Sequence, residues 1–274
     1  MWALERPWDP RPSTVVAQTP LALVAALLGG WFIVAWLVAT EWLPASMLSL
    51  VAPTAMHGAL LATALAWGAA DGGVRLWPGT MAITVVLVGA GEAAAMLDAR
   101  GAVVLLAVPA WLAVLAGRGR LIGLGLGLPV PLRPVLVGGV VGTLLGGHLL
   151  VSASQTLGYP LRSGGWAPLL VLWAHDVGVR VISAEGFFRG ALFNRLQRRW
   201  SFGPAVSLAT ALSLVRYLTD PLLPGQVEVV VGALFYLTIL GVVNCWLLWW
   251  SGSLVPGLLA STLFFFAYRA IAIG

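Results

Sequence analysis

Residues 184–190 read Ala184-Glu185-Gly186-Phe187-Phe188-Arg189-Gly190, which sets a carboxylate and a guanidinium four residues apart inside a long apolar stretch. Ionisable groups at membrane depth are costly, and they mark candidate functional sites. The interiors of the apolar stretches also hold Glu92, His57, His148, His175, Asp176, Arg180 and Arg216. Of these, Glu92, His175, Asp176, Arg180, Glu185, Arg189 and Arg216 form a candidate intramembrane charge cluster, in which three acids can neutralise three arginines. Asp176 and Arg180 are four apart, as are Glu185 and Arg189, so each pair can bridge along one helical face. At about 100° per residue the two pairs point to opposite sides of a regular helix, unless it breaks near Ser183 and Gly186. Two uses compete: ion pairs that hold helices in register, and a polar cavity for a substrate or partner. His175 stands next to Asp176, but adjacent residues on a helix do not face each other. The three histidines share no metal-site spacing, and no Cys or carboxylate completes a zinc or di-iron set, so no metal or cofactor is expected.

The elements that carry these groups follow from composition. Hydrophobic residues make up 60% of the chain and charged residues 9%, and the apolar residues fall in repeated long runs. A helix needs about 20 mostly apolar residues to cross the hydrocarbon core. The spans expected are Pro20 to Leu43, Ser46 to Ala69, Gly79 to Leu97, Gly101 to Ala116, Pro134 to Ala153, Trp166 to Phe193, Gly203 to Leu218, Val227 to Trp250 and Leu254 to Ala272. Backbone groups in lipid must be satisfied within their own segment or a closed barrel, so runs of this length imply helices. The fold expected is all-α, a polytopic transmembrane helical bundle of about 8–9 spans. Three regions follow: residues 1–19 as an N-terminal cytoplasmic arm, 20–165 as N-terminal transmembrane helices, and 166–274 as a helical core.

The arm carries Glu5, Arg6, Asp9 and Arg11 among prolines, unlike a cleavable signal, and it leads into a retained first span. All 15 basic residues are Arg, which fits a GC-rich, bacterial genome. Arg6 and Arg11, Arg75, Arg118 with Arg120 and Arg133, and Arg195 with Arg198 and Arg199 fall in alternate loops. The positive-inside rule makes those loops cytoplasmic and puts the N-terminus inside, in a plasma (inner) membrane. The opposite loops carry Glu41, Asp98 with Arg100, Arg162, Asp220 and Glu228. The net charge of +5 therefore reads as topology and lipid contact, with no nucleic-acid partner. Many of the 14 Trp lie near span ends, as an interfacial belt does. The lone Cys245 reads as a small core residue. Residues 123–129, rich in Gly, read as a flexible turn, and Gly138-Gly139, Gly142 and Gly146-Gly147 as sites of close helix approach.

The stretch 184–190, followed by Arg195 and Arg198-Arg199, resembles the first motif of the CAAX-protease and bacteriocin-processing family of intramembrane endopeptidases, E-E-x-x-x-R-G with an aromatic before the Arg. Glu185, Phe188, Arg189 and Gly190 match, and Ala184 replaces the first Glu. The second motif, F-x-x-x-H, falls on Leu212 and Arg216. The third, H-x-x-x-N or H-x-x-x-D after a G-S-L turn, falls on Ser261 and Phe265 after Gly252-Ser253-Leu254. The resemblance covers the C-terminal third, from about Trp166 onward. It implies that the first Glu, the two His and the Asn activate water and stabilise an oxyanion. Ala184 and Phe265 can do neither, Arg216 stays protonated, and Ser261 offers one hydrogen bond. Removing one such group costs about 100-fold or more in rate.

The expected protein is thus a catalytically silent bundle, a pseudoenzyme that serves a membrane-protein partner or complex in the lipid bilayer as scaffold, assembly factor or stabilising subunit. Its rivals are an active intramembrane endopeptidase using Glu185 with a partner such as His175, and a transporter with the charges along its path. A hairpin turning at Arg198 to Ser201 sets Glu185 and Arg216 at equal depth.

Overall fold

A computed structural model describes residues 21–127, 129–162, 165–218 and 226–272. The N-terminal arm with Arg6 and Arg11, and the loop acid Asp220, lie outside the described residues. Among those described, the helices are α1 (Leu21–Ala39), α2 (Ser46–Asp71), α3 (Pro78–Leu97), α4 (Ala107–Gly117), α5 (Leu132–Thr156), α6 (Trp166–Leu196), α7 (Phe202–Leu218), α8 (Val227–Ser251) and α9 (Val255–Arg269). A 3-10 stretch, Ala99–Leu106, runs directly into α4. Seven segments are long and apolar enough to cross a membrane, and α7 and α9 are shorter apolar helices. The all-α polytopic bundle is borne out. With 17 residues, α7 is about 25 Å long by helical rise, roughly a turn short of the hydrocarbon thickness.

The sequence places α9 as far as Ala272, but the helix ends at Arg269 because the chain there joins another segment. The Arg162 amide donates to the Ala270 carbonyl at 2.8 Å, and the Ala272 amide donates to the Pro160 carbonyl at 2.8 Å. These bonds form a one-residue antiparallel bridge, Leu161 with Ile271.

The chain divides into two compact units, one within residues 129–169 and 188–272, the other within 21–127 and 170–187. In the first, α5 packs on α9 through glycines one turn apart. A Cβ built on Gly138 would lie 2.3 Å from the Pro256 carbonyl oxygen, on Gly142 2.5 Å from that of Ala260, and on Gly146 2.8 Å from the Ala267 Cβ. Helices gain little from the hydrophobic effect inside lipid, so close backbone approach supplies the packing energy. The Gly252-Ser253-Leu254 turn joins α8 to α9. Gly252 takes the left-handed cap conformation (φ 68°), and the Ser253 hydroxyl accepts the Val255 amide at 3.2 Å. Cys245 is fully buried in a cluster with Phe193, Ala205, Val206, Ala209 and Leu248.

In the second unit α1 packs along α2 yet contributes no buried residue. The residues 121–124 are the opposite of loose. Leu121 and Leu124 are buried, and a Cβ on Gly123 would lie 2.0 Å from the Gly68 carbonyl oxygen. The stretch read as a flexible turn thus begins in close packing, with Gly123 against the end of α2.

The sequence also expects α6 to be either regular or broken near Ser183 and Gly186. Instead it widens into π-helix over Asp176–Val181 and Glu185–Phe193, with ordinary α-helix at Ile182–Ala184 between them. The hundred-degree step therefore does not apply to either charged pair. π-turns inside α-helices concentrate at functional sites.

Candidate functional site

The residues of the expected charge cluster fall in separate units. Glu92, His175, Asp176, Arg180 and Glu185 belong to one, and Arg189 and Arg216 to the other.

In the unit built around α2, α3 and the middle of α6, Glu92, Asp176 and Glu185 are all buried. His175 Nε2 lies 3.3 Å from Glu92 Oε2. The sequence named both residues without pairing them, since the contact spans 83 positions. Glu92 Oε1 makes no hydrogen bond among the described residues. Asp176 Oδ1 lies 3.9 Å from Arg180 Nη1, the spacing expected of an i, i+4 pair despite the widened helix. His57 Nδ1 shares a 2.7 Å hydrogen bond with the Ser183 hydroxyl, which also donates to the Arg180 carbonyl at 3.2 Å. His57 is thus a satisfied core residue. The two π-turns and the Gly178 approach set this arrangement: a Cβ on Gly178 would lie 2.6 Å from the Leu105 Cβ and 2.8 Å from its carbonyl oxygen.

In the other unit Arg189 is buried, and its Nη1 donates to the Ser213 hydroxyl at 3.0 Å, tying α6 to α7. Gly241 of α8 makes room for it, since a Cβ there would sit 2.6 Å from Arg189 Nη2. Ser261, at the position of the third-motif His, is buried and accepts a 2.8 Å hydrogen bond from Asn244 Nδ2. Leu212 is 41% exposed on α7, and Phe265 and Arg216 are half-buried. Ala184, in the unit of Glu92, is half-buried beside Glu185 on α6. His148 Nδ1 shares a 2.7 Å bond with the Tyr236 hydroxyl.

Asn244, Ser183 and Ser213 were not legible as polar bonding partners from the sequence. Asn244 carried a signal of residue type alone, a lone amide within the apolar run Val242-Val243-Asn244-Cys245-Trp246. The serines carried none, because a hydroxyl in a helix is as readily satisfied by its own backbone.

Chemically, each unit holds polar side chains that bond one helix to another. The pair Glu92 and His175 is the arrangement best suited to moving a proton. None of the motif positions 184, 216, 261 and 265 presents a carboxylate, imidazole or amide.

Residues 166–266 match the family described as type II CAAX prenyl endopeptidase Rce1-like, in agreement with the resemblance read from the motifs. No curated protein and no solved structure matches the chain.

Proposed function

From the Rce1-like match over residues 166–266, we propose that this membrane protein keeps the family's helices and has given up its catalysis, acting as scaffold, assembly factor or stabilising subunit for a membrane-protein partner. The observation that carries this reading is the buried hydrogen bond from Asn244 to Ser261. The family's third-motif His position is occupied by a hydroxyl whose acceptor role joins α8 to α9. Arg189 supports the same reading, since it is spent on Ser213 and housed by Gly241. Hydrolysis requires a base for water and donors for the developing oxyanion, and positions 184, 216, 261 and 265 supply no carboxylate, imidazole or amide for those roles. The arginine-bearing loops favour a cytoplasmic N-terminus in the plasma (inner) membrane. The outward α1 offers surface to a partner helix, and nothing lies within 4 Å of a Cβ on Gly29 or Gly30.

The test is to purify the tagged full chain from its native membrane in mild non-ionic detergent, quantify its companions by mass spectrometry, and assay a prenylated CAAX peptide. One membrane protein at near-equal amount, with no cleavage above a protein-free blank, is the expected result. Cleavage that disappears in Glu185→Gln at unchanged yield would overturn the reading.

A further inference from the structure

The unit of α5, α7, α8 and α9 contains a small recess of about 80 Å³. All four tyrosines of the chain, Tyr159, Tyr217, Tyr236 and Tyr268, line it. Phe265 joins them, so the position that the family fills with Asn here adds an aromatic wall. Glu228 is the one charged side chain of the lining, and it is exposed.

An interfacial belt does not account for this set. Belts mix Trp with Tyr on lipid-facing perimeters, whereas no Trp lines the recess although the chain has 14. Tyr236 is only 6% exposed, and its hydroxyl is fixed by His148. The rings also brace one another: Tyr236 with Phe264 at 5.8 Å between centroids, Phe264 with Phe265 at 5.4 Å, and Phe265 with Tyr268 at 6.3 Å. Tyr268 already holds a cation against one face, for the Arg269 guanidinium carbon lies 5.8 Å from its centroid, outside the recess lining.

Aromatic faces attract cations through the ring quadrupole, and a carboxylate at the edge adds a counter-charge. The lining offers few polar atoms to replace a hydration shell, which disfavours metal ions and primary ammonium groups. An N-alkylated ammonium spreads its charge over methyl groups and loses little on leaving water. We propose that the recess binds the alkylammonium group of an organic cation, with the tyrosine and phenylalanine rings as walls and Glu228 as counter-ion. The cation is either the head group of a lipid or a soluble molecule with the same chemistry. The site stands whether or not proteolysis has been lost, because it is read by binding and not by cleavage.

The experiment is calorimetric titration of the full chain in dodecyl maltoside with dodecyltrimethylammonium, with tetramethylammonium, and with a dodecyl chain ending in a neutral tert-butyl group. The expected result is saturable binding of dodecyltrimethylammonium, weakened about tenfold by Glu228→Gln and about fivefold by Tyr217→Leu. Competition by tetramethylammonium at similar concentrations assigns the site to a soluble cation, and binding of the long-chain form alone assigns it to a lipid head group. Equal affinity for the neutral analogue on the unaltered protein, or unchanged affinity in Glu228→Gln, overturns the proposal. The first comparison needs no variant, so a folding defect cannot obscure it.

Discussion

Ser261 bonds two helices through a single buried hydroxyl. In the motif alignment it stands where the family places an imidazole, and it is buried with Asn244 Nδ2 at 2.8 Å. Hydrogen bonds between membrane helices contribute modestly, so Ser261→Ala is expected to cost about 1 kcal/mol. Thermal unfolding in non-ionic detergent reads that loss, and an unchanged midpoint would show that the bond adds nothing. Gly241 poses a steric version of the same question. Gly241→Val forces a side chain into space 2.6 Å from Arg189 Nη2 and 2.9 Å from Thr210 Cγ2, with an expected cost of about 1–3 kcal/mol by the same measurement. At this scale the sequence was legible for residue types and largely silent on partners. Glu92 and His175 were both recognisable as unusual, yet their contact depends on how α3 and α6 pack, which no local spacing encodes.

Helix contacts were more readable, because small residues repeat with the period of the helix itself. Gly138, Gly142 and Gly146 were identified from spacing, and all three face the α9 backbone. Spacing alone did not separate them from their neighbours Gly139 and Gly147. Gly142→Ala would bring a Cβ within 2.5 Å of the Ala260 carbonyl oxygen, whereas nothing lies within 4 Å of the same atom on Gly147. Gly142→Ala should therefore lower the unfolding midpoint, and Gly147→Ala should leave it unchanged or raise it slightly through reduced chain entropy. Equal effects would remove the α5 and α9 contact as a source of stability. The π-turns of α6 had no sequence signature at all. They coincide with the close approach of Gly178 to Leu105 and with the buried Asp176, Glu185 and Arg189.

For the whole molecule, topology is the expectation most open to direct test. Arg133 and Gln155 are exposed near opposite ends of α5, and the native Cys245 is fully buried, so it should not react with a polar maleimide. Labelling intact cells should modify Gln155→Cys, and Arg133→Cys should react only after the membrane is opened; the reverse pattern would invert the orientation. The sequence by itself determined the membrane class, the all-α bundle, the helix positions to within a few residues, and the Rce1-like segment. These follow from long apolar runs and from motif spacing, both local properties of the chain. Only the tertiary structure decided that His175 meets Glu92, that Asn244 bonds Ser261, that α6 widens twice, and that four tyrosines scattered from residue 159 to 268 line one recess. Each depends on side chains distant in sequence being brought within bonding distance, and in lipid such contacts are chosen by shape and by polar groups that must find one another.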